Sequence, residues 1–180
     1  MISDFNDFDK LFADTFGDID RTTLSSIYEN RLRLELGADE SGLNRIEQAI
    51  GRTMQFLQYC FQEMPVWLRL ILWSEAEEKN LEQAGLIIRH ADIAFRQENA
   101  EYVVLYLNFK KVSEPVRSVI TSIINYEMAE EPSANLTCYF INFEKPVIIN
   151  VYDDRGMDIY SPDKRIINEL SNKFATWRTS

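Results

Sequence analysis

The chain has 180 residues, a net charge of −10, 46% hydrophobic and 12% aromatic residues, which predict one folded domain over residues 1–180. An acidic chain lacks the Lys/Arg surface that binds nucleic-acid backbones, and it can instead be steered towards a basic protein. The acidic N-terminus does not resemble a signal peptide and the longest apolar run, 65–73, is too short to cross a bilayer, so we expect a cytoplasmic protein with no membrane partner.

The first half of the chain predicts two helices and two strands. Ser3 can cap a helix that carries an apolar stripe on one face. Leu and charged residues alternate over 31–36, a pattern typical of a half-buried strand. Apolar residues recur every three or four positions over 42–64 and predict a long amphipathic helix. The run 66–73 is apolar on both faces, which indicates an inner strand covered on both sides.

The second half predicts strands in runs that single helices separate. Strands are predicted over 102–109, 136–143, 146–152 and 157–160. Helices are predicted over 75–88 and 113–128, and a last helix is expected to start at Ser161-Pro162. Residues 20–28 fit a short helix or an irregular segment, and residues 89–100 are ambiguous. We therefore predict an α+β fold, with a mostly antiparallel central sheet of about five to six strands flanked by helices.

The most informative stretch is Tyr152-Asp153-Asp154-Arg155-Gly156-Met157-Asp158, which follows an apolar strand. The carboxylates of Asp153, Asp154 and Asp158 could coordinate Mg²⁺ or Ca²⁺, which prefer oxygen ligands. Neighbouring residues of an extended strand point to opposite faces, however, and Arg155 competes for a carboxylate. We therefore predict a turn held by Asp-to-backbone hydrogen bonds and an Arg–Asp pair, with no metal and no other cofactor.

The sequence carries no catalytic signature. The single His, His90, would have to lie beside Cys60, Cys138 or a Ser to form a nucleophilic pair, and no local pattern supports this. The six Gly residues form no phosphate-binding loop. Both Cys residues lie in apolar periodic segments, which predicts buried free thiols. We therefore expect a protein that is not an enzyme.

Three acidic clusters can contact a basic partner, or can simply be solvated faces of the protein. They are Glu75–Glu78, Glu127–Glu131 and the turn Asp153–Asp158. The candidate partner-binding residues are Glu127, Glu130, Glu131, Tyr152, Asp153, Asp154 and Asp158. Trp67, Trp73 and Tyr152 could act as aromatic anchors, because such residues dominate binding hot spots, although either Trp could instead belong to the core.

Three segments stand out together by their order and spacing. They are Leu32-Arg33-Leu34-Glu35-Leu36-Gly37, Arg52-Thr53-Met54-Gln55-Phe56 and Asn150-Val151-Tyr152-Asp153-Asp154-Arg155-Gly156-Met157-Asp158, followed by Trp177. These resemble the R-F-E-L-G strand, the R-A-x-x-I-F helix segment and the Y-D-D-R-G-x-D signature of a bacterial family, domain of unknown function 3885. Leu34 and Thr53 differ from the pattern of that family.

The resemblance implies a protein without an established enzymatic activity, similar to the small acidic immunity proteins of bacterial toxin systems. The polar positions that match the family include Arg33, Glu35, Arg52 and Arg155, besides the three Asp residues of the turn. We expect these positions to form one structural charge network that ties the two ends of the chain together.

Three functional hypotheses follow. The leading one is an immunity protein, or antitoxin, that binds a basic toxin domain such as a nuclease and covers its active site. The rival is a small metal-dependent hydrolase or nuclease that uses Asp153, Asp154 and Asp158. The third is a non-catalytic scaffold or a homodimer with an exposed edge strand.

Overall fold

The computed structural model describes residues 2–17, 19, 24, 27, 29–37, 41–74, 76–85 and 88–178. Segment 20–28, expected to be a short helix or irregular, lies outside these ranges apart from Leu24 and Ile27. The elements are α1 (Phe5–Phe16), β1 (Arg31–Glu35), α2 (Gly42–Phe61), β2 (Val66–Leu72), α3 (Ala76–Gln83), β3 (Ile93–Glu98), β4 (Val103–Phe109), α4 (Glu114–Met128), β5 (Leu136–Asn142), β6 (Val147–Val151), β7 (Gly156–Tyr160) and α5 (Lys164–Lys173). Short 3-10 turns occupy Ile88–His90 and Ala175–Trp177.

The described strands form one seven-stranded sheet in the order β1-β7-β6-β5-β2-β4-β3, and every neighbouring pair is antiparallel. The predicted α+β fold is therefore confirmed, with one more strand than the upper count. The additional strand is β3, which lies within the ambiguous segment 89–100. Its residues alternate between half-buried and exposed, and its second half is Arg96-Gln97-Glu98. An edge strand buries little surface, so its apolar pattern is weak.

Helices cover the sheet on both faces, and β2 lies near its centre. Every residue of β2 is buried, as the apolar run predicted. Leu68 and Leu70 face the larger core, to which α2, α4 and α5 contribute. Trp67 faces the smaller core beneath α1, where the Phe8 ring lies 5.4 Å from the Trp67 ring and 4.9 Å from that of Tyr106. Two apolar faces are what an inner strand with cover on both sides requires.

Carboxylates, rather than the predicted hydroxyls, cap the first and last helices. The N-cap of α1 is Asp4, whose side chain accepts from the backbone N of Asp7 at 3.0 Å, so that the Ser3 prediction is off by one residue. The N-cap of α5 is Asp163, and Ser161 instead accepts a hydrogen bond from the backbone N of Asp163 at 3.1 Å. Asp and Ser are both favourable caps, so composition alone does not choose between neighbours.

Two helices are shorter than their patterns predicted. α2 ends at Phe61 and not at Met64, because the following Gln62 has a φ of 51°. α3 ends at Gln83, whereas the pattern extended to Ile88.

Both Cys residues are buried and free, as predicted. Among the described residues, no helix is long and apolar enough to cross a membrane.

Candidate functional site

The turn between β6 and β7 is built around the side chain of Asp153. Its Oδ1 accepts hydrogen bonds from the backbone N of Arg155 at 2.7 Å and of Gly156 at 3.2 Å. Its Oδ2 accepts from the Arg155 Nε at 2.6 Å. Asp153 is buried, whereas Arg155 is exposed. This is the Asp-to-backbone turn with an Arg–Asp pair that the sequence predicted.

The next acid, Asp154, points towards a different element. It is buried and forms a salt bridge with Arg45, in the second turn of α2. The backbone of the same turn bonds the end of β1: the Leu36 N donates to the Arg155 carbonyl at 3.0 Å, and the Gly37 N donates to the Asp154 carbonyl at 2.9 Å. The turn is therefore fastened to β1 and α2 at once.

Asp158 lies in the middle of β7, on the face that α1 covers elsewhere. The strand register places it opposite Arg33 of β1 and Asn150 of β6. Its Oδ1 lies 3.3 Å from the Nε of Arg31. Burial raises the pKa of Asp158, and the positive charges of Arg31 and Arg33 partly offset that effect.

Tyr152 closes the inner side of the turn. It is half-buried, and the guanidinium of Arg33 lies 5.4 Å from the centroid of its ring. Its buried hydroxyl has no hydrogen-bond partner in the described part of the chain. A Cβ on Gly156 would lie 2.6 Å from this hydroxyl and 2.9 Å from the Leu34 carbonyl, so only Gly allows such a close approach here.

The three Asp residues do not converge on one point. Asp153 pairs with Arg155, whereas Asp154 and Asp158 pair with the Arg residues of two other elements. No group of three or more His, Cys, Asp or Glu able to hold a metal ion is found within the described ranges. These three carboxylates therefore offer no common point for the single ion that the metal-dependent hydrolase would need.

The thiols are equally poor candidates for a nucleophile. Burial raises the pKa of Cys60 to about 12, and burial raises the pKa of Cys138 well above its ordinary value. A catalytic Cys needs the opposite shift, because the thiolate is the reactive form. His90 is exposed on a 3-10 turn.

The four Arg and Glu residues of the predicted charge network make separate contacts instead of one network. Arg52 donates to the Leu36 carbonyl at 3.1 Å and lies 5.3 Å from the ring centroid of Trp177. It thus joins α2, β1 and the C-terminal turn, but through a carbonyl and a ring. Arg33 lies over Tyr152, Arg155 pairs within its own turn, and the half-buried Glu35 has no side-chain partner among the described residues. The tie between the two ends of the chain exists, and its ionic part is formed by the Arg45–Asp154 and Arg31–Asp158 pairs.

The strand register brings the other candidate residues to the same end of the sheet. β1, β2, β3 and β6 finish at this end, and β4, β5 and β7 begin there. We call its loops the acidic end: residues 73–74, 99–102, 129–135 and 152–155. Glu101, Glu130 and Glu131 are exposed here, and Glu127 is exposed in the last turn of α4 beside them. Within the described loops that connect strands or follow them, Lys occurs only at the opposite end, as Lys110, Lys111 and Lys145.

The most exposed large apolar side chains lie at or beside the acidic end. Among the described residues they are Leu43, Trp73 and Tyr126, with 66%, 48% and 45% of their surface exposed. Trp73 follows β2 and contacts the ring of Tyr102 at 5.7 Å. Leu43 lies in the first turn of α2 and Tyr126 in the last turn of α4, both next to the acidic end. Of the predicted anchors, Trp73 is therefore available, whereas Trp67 belongs to the core.

Sequence reasoning missed Arg45, because its partner Asp154 is 109 residues away and no local pattern reports such a distant pair. It predicted a half-buried strand over 31–36 and did not pair Arg31 with Asp158. It also missed Tyr126 and Leu43, since an exposed apolar residue in a helix has the same sequence signature as a buried one.

The Gly156 site yields a test on folding stability. Gly156→Ala should lower the free energy of unfolding by about 1–3 kcal/mol, because the new methyl group overlaps a backbone carbonyl. Gly51→Ala, in α2 with no atom within 4 Å of the new Cβ, should raise it by about 0.5–1 kcal/mol. Urea unfolding of both variants measures the difference, and equal effects would contradict the packing described for the turn.

The Arg45–Asp154 pair yields a second test. Arg45→Met leaves a buried carboxylate without its guanidinium and should cost about 2–4 kcal/mol of unfolding free energy. The matched control is Arg165→Met, which removes an exposed pair with Asp163 and should change stability by less than about 0.5 kcal/mol. Similar losses in the two variants would show that the turn is not fastened through Arg45.

Tyr152 yields a prediction for alkaline pH. Burial raises the pKa of Tyr152 to about 12 from its ordinary 10.0, and nearby Arg33 partly opposes this shift. The neutral phenol therefore favours the folded state in full below pH 10.0, and this contribution is lost as the pH rises towards about 12. Tyr152→Phe should make the unfolding free energy less dependent on pH in this window. An unchanged slope would contradict the assignment.

Comparison with known proteins agrees with the motifs in the sequence. The family model described as Domain of unknown function (DUF3885) matches residues 8–180. This range includes all the strands of the described sheet and the turn around Asp153. No curated protein and no solved structure matches the chain significantly. The chain therefore belongs to the family domain of unknown function 3885.

Proposed function

We propose that this protein is a cytoplasmic immunity protein that binds a basic toxin domain, such as a nuclease, and covers its active site without catalysis of its own. One observation carries the proposal. Exposed Glu101, Glu130 and Glu131 and the most exposed large apolar side chains, Trp73 and Tyr126 among them, lie at or beside the same end of the sheet. Aromatic anchors ringed by charge are typical of protein–protein hot spots.

Charge supports a basic partner. The whole chain carries −10, and Glu127, Glu130 and Glu131 lie exposed in one short segment that spans the last turn of α4 and the loop after it. Such an arrangement attracts a positively charged surface at long range and speeds its association. A nuclease active site that accommodates phosphates is a surface of that kind, and Glu carboxylates offer it a similar negative charge.

The candidate partner-binding residues divide into two groups. Glu127, Glu130 and Glu131 are exposed and available for contact. Asp153, Asp154 and Asp158 are buried, each with an Arg beside it, and Tyr152 is half-buried beneath Arg33. We assign the second group to holding the acidic end in place and the first group to the partner.

The test is growth rescue of bacteria that express a toxin encoded next to this protein. Wild-type protein should restore growth and bind the purified toxin domain. Trp73→Ala should weaken binding by about 30-fold, since hot-spot residues contribute 2 kcal/mol or more. The double variant Glu130→Lys/Glu131→Lys should slow association and lose its salt dependence.

A matched control reverses the same number of charges at the opposite end of the sheet. Glu63→Lys/Glu144→Lys should bind and rescue like the wild-type protein. No rescue from any neighbouring toxin, together with no basic protein captured by the wild-type chain, would refute the proposal. Equal loss in both double variants would place the contact elsewhere.

A further inference from the structure

The two edge strands of the sheet differ in what pairs with their outer side. At one edge, Leu34 of β1 forms an antiparallel bridge with Arg178, so the C-terminal residues cover part of that strand. At the other edge, β3 pairs with β4 and with no other described segment. Its residues alternate between half-buried and exposed along its whole length. An edge strand of this kind presents a row of backbone groups to a further strand.

The register identifies which backbone groups of β3 face outward. The carbonyls of Tyr102 and Asn108 accept hydrogen bonds from the β3 side, at 3.0 and 2.8 Å. Even-numbered residues of β4 therefore bond to β3, and their partners include Phe95, opposite Tyr106. In an antiparallel pair, alternate residues bond to opposite sides. The N–H and C=O groups of the even-numbered residues of β3 consequently point away from the sheet; they are Ala94, Arg96 and Glu98.

A cleft lies next to this open edge. It has a volume of about 290 Å³ and is bounded by Ile88, Ala94, Arg96, Leu105 and Leu107 together with Glu78 and Phe95. It adjoins a wider cleft of about 580 Å³ that extends along α3. The apolar floor and the helix on one side leave room for the alternate side chains of a strand added beside β3. Strand addition of this kind derives affinity from the backbone and specificity from such pockets.

The side chains along the cleft include one more acid than base. Glu78, Glu82 and Glu98 lie along α3 and β3, against Lys79 and Arg96. Arg96 is already bound between Glu78 and Glu98, so its charge is matched within the protein. β3 also ends at Glu98, directly before residues 99–102 of the acidic end. A strand that lies along β3 therefore continues into that surface.

We propose that β3 receives an extended strand of the partner protein, with alternating basic and apolar side chains, as an eighth strand of the sheet. This inference rests on the proposed function for the identity of the partner. The mode of binding is inferred from the outward backbone groups of β3. The apolar side chains of the added strand enter the cleft beside α3, and its basic side chains lie on the opposite face of the sheet, beside α1.

The first experiment uses a peptide of about ten residues that alternates Lys and Val, a length that spans β3. Hydrogen exchange should show new protection at Ala94, Arg96 and Glu98, whereas β1 at the opposite edge stays unchanged. Ala94→Pro removes one outward N–H and should weaken binding by about tenfold or more. The control Lys111→Pro introduces the same residue in the exposed loop after β4, at the opposite end of the sheet, and should bind like the wild-type protein. Thermal melts confirm that both variants are folded.

The outcomes separate the two proposals. Equal binding by the Ala94→Pro and Lys111→Pro variants, or protection only outside β3, would overturn strand addition. Sedimentation that shows a dimer dissociated by Ala94→Pro would also overturn it, by making a second copy of this chain the occupant. If Ala94→Pro rescues cells from the toxin while the Trp73→Ala variant does not, strand addition fails and the immunity function stands. If no toxin is neutralised but the peptide protects β3, the immunity function fails and strand addition stands.

Discussion

The end of β1 is held by the turn of a hairpin that lies more than a hundred residues further along the chain. Among the described strands, β1 has a single neighbour, β7, with Glu35 opposite Gly156. Two backbone hydrogen bonds and the Arg45–Asp154 salt bridge fasten the turn to β1 and α2. This junction positions residues 152–155 of the acidic end, and the other loops there take their places from the strands that they connect.

The junction also explains why acids of similar appearance in the sequence have different roles. Asp153 and Asp154 are buried, and each satisfies its lone pairs within the fold, as a buried carboxylate must. Glu130 and Glu131 follow α4 in a loop that leaves them in solvent. Only acids of the second kind keep their charge available to another molecule. A count of acidic residues cannot separate the two kinds, whereas burial separates them at once.

The sequence predicted the elements whose signal is local and not the contacts that join distant elements. The apolar patterns of the strands located six of the seven strands. β3 was not predicted, because an edge strand buries too few residues. The internal hydrogen bonds of the Asp153 turn were predicted, since a turn is made by neighbours. The Arg45–Asp154 pair was not, because 109 residues separate its members. The exposure of Trp73 was likewise not predictable, because it depends on packing and not on the neighbouring residues in the sequence.

The pairing of the first strand with the last has a consequence for synthesis on the ribosome. Arg31 faces Tyr160 and Glu35 faces Gly156, so β1 has no described strand to join until nearly the whole chain has been made. The middle strands can assemble earlier, since β2 and β4 are neighbours both in the sheet and along the chain. β1 therefore stays unpaired while the rest of the chain is synthesised. A message truncated before β7 would yield a chain in which β1 has no strand to pair with.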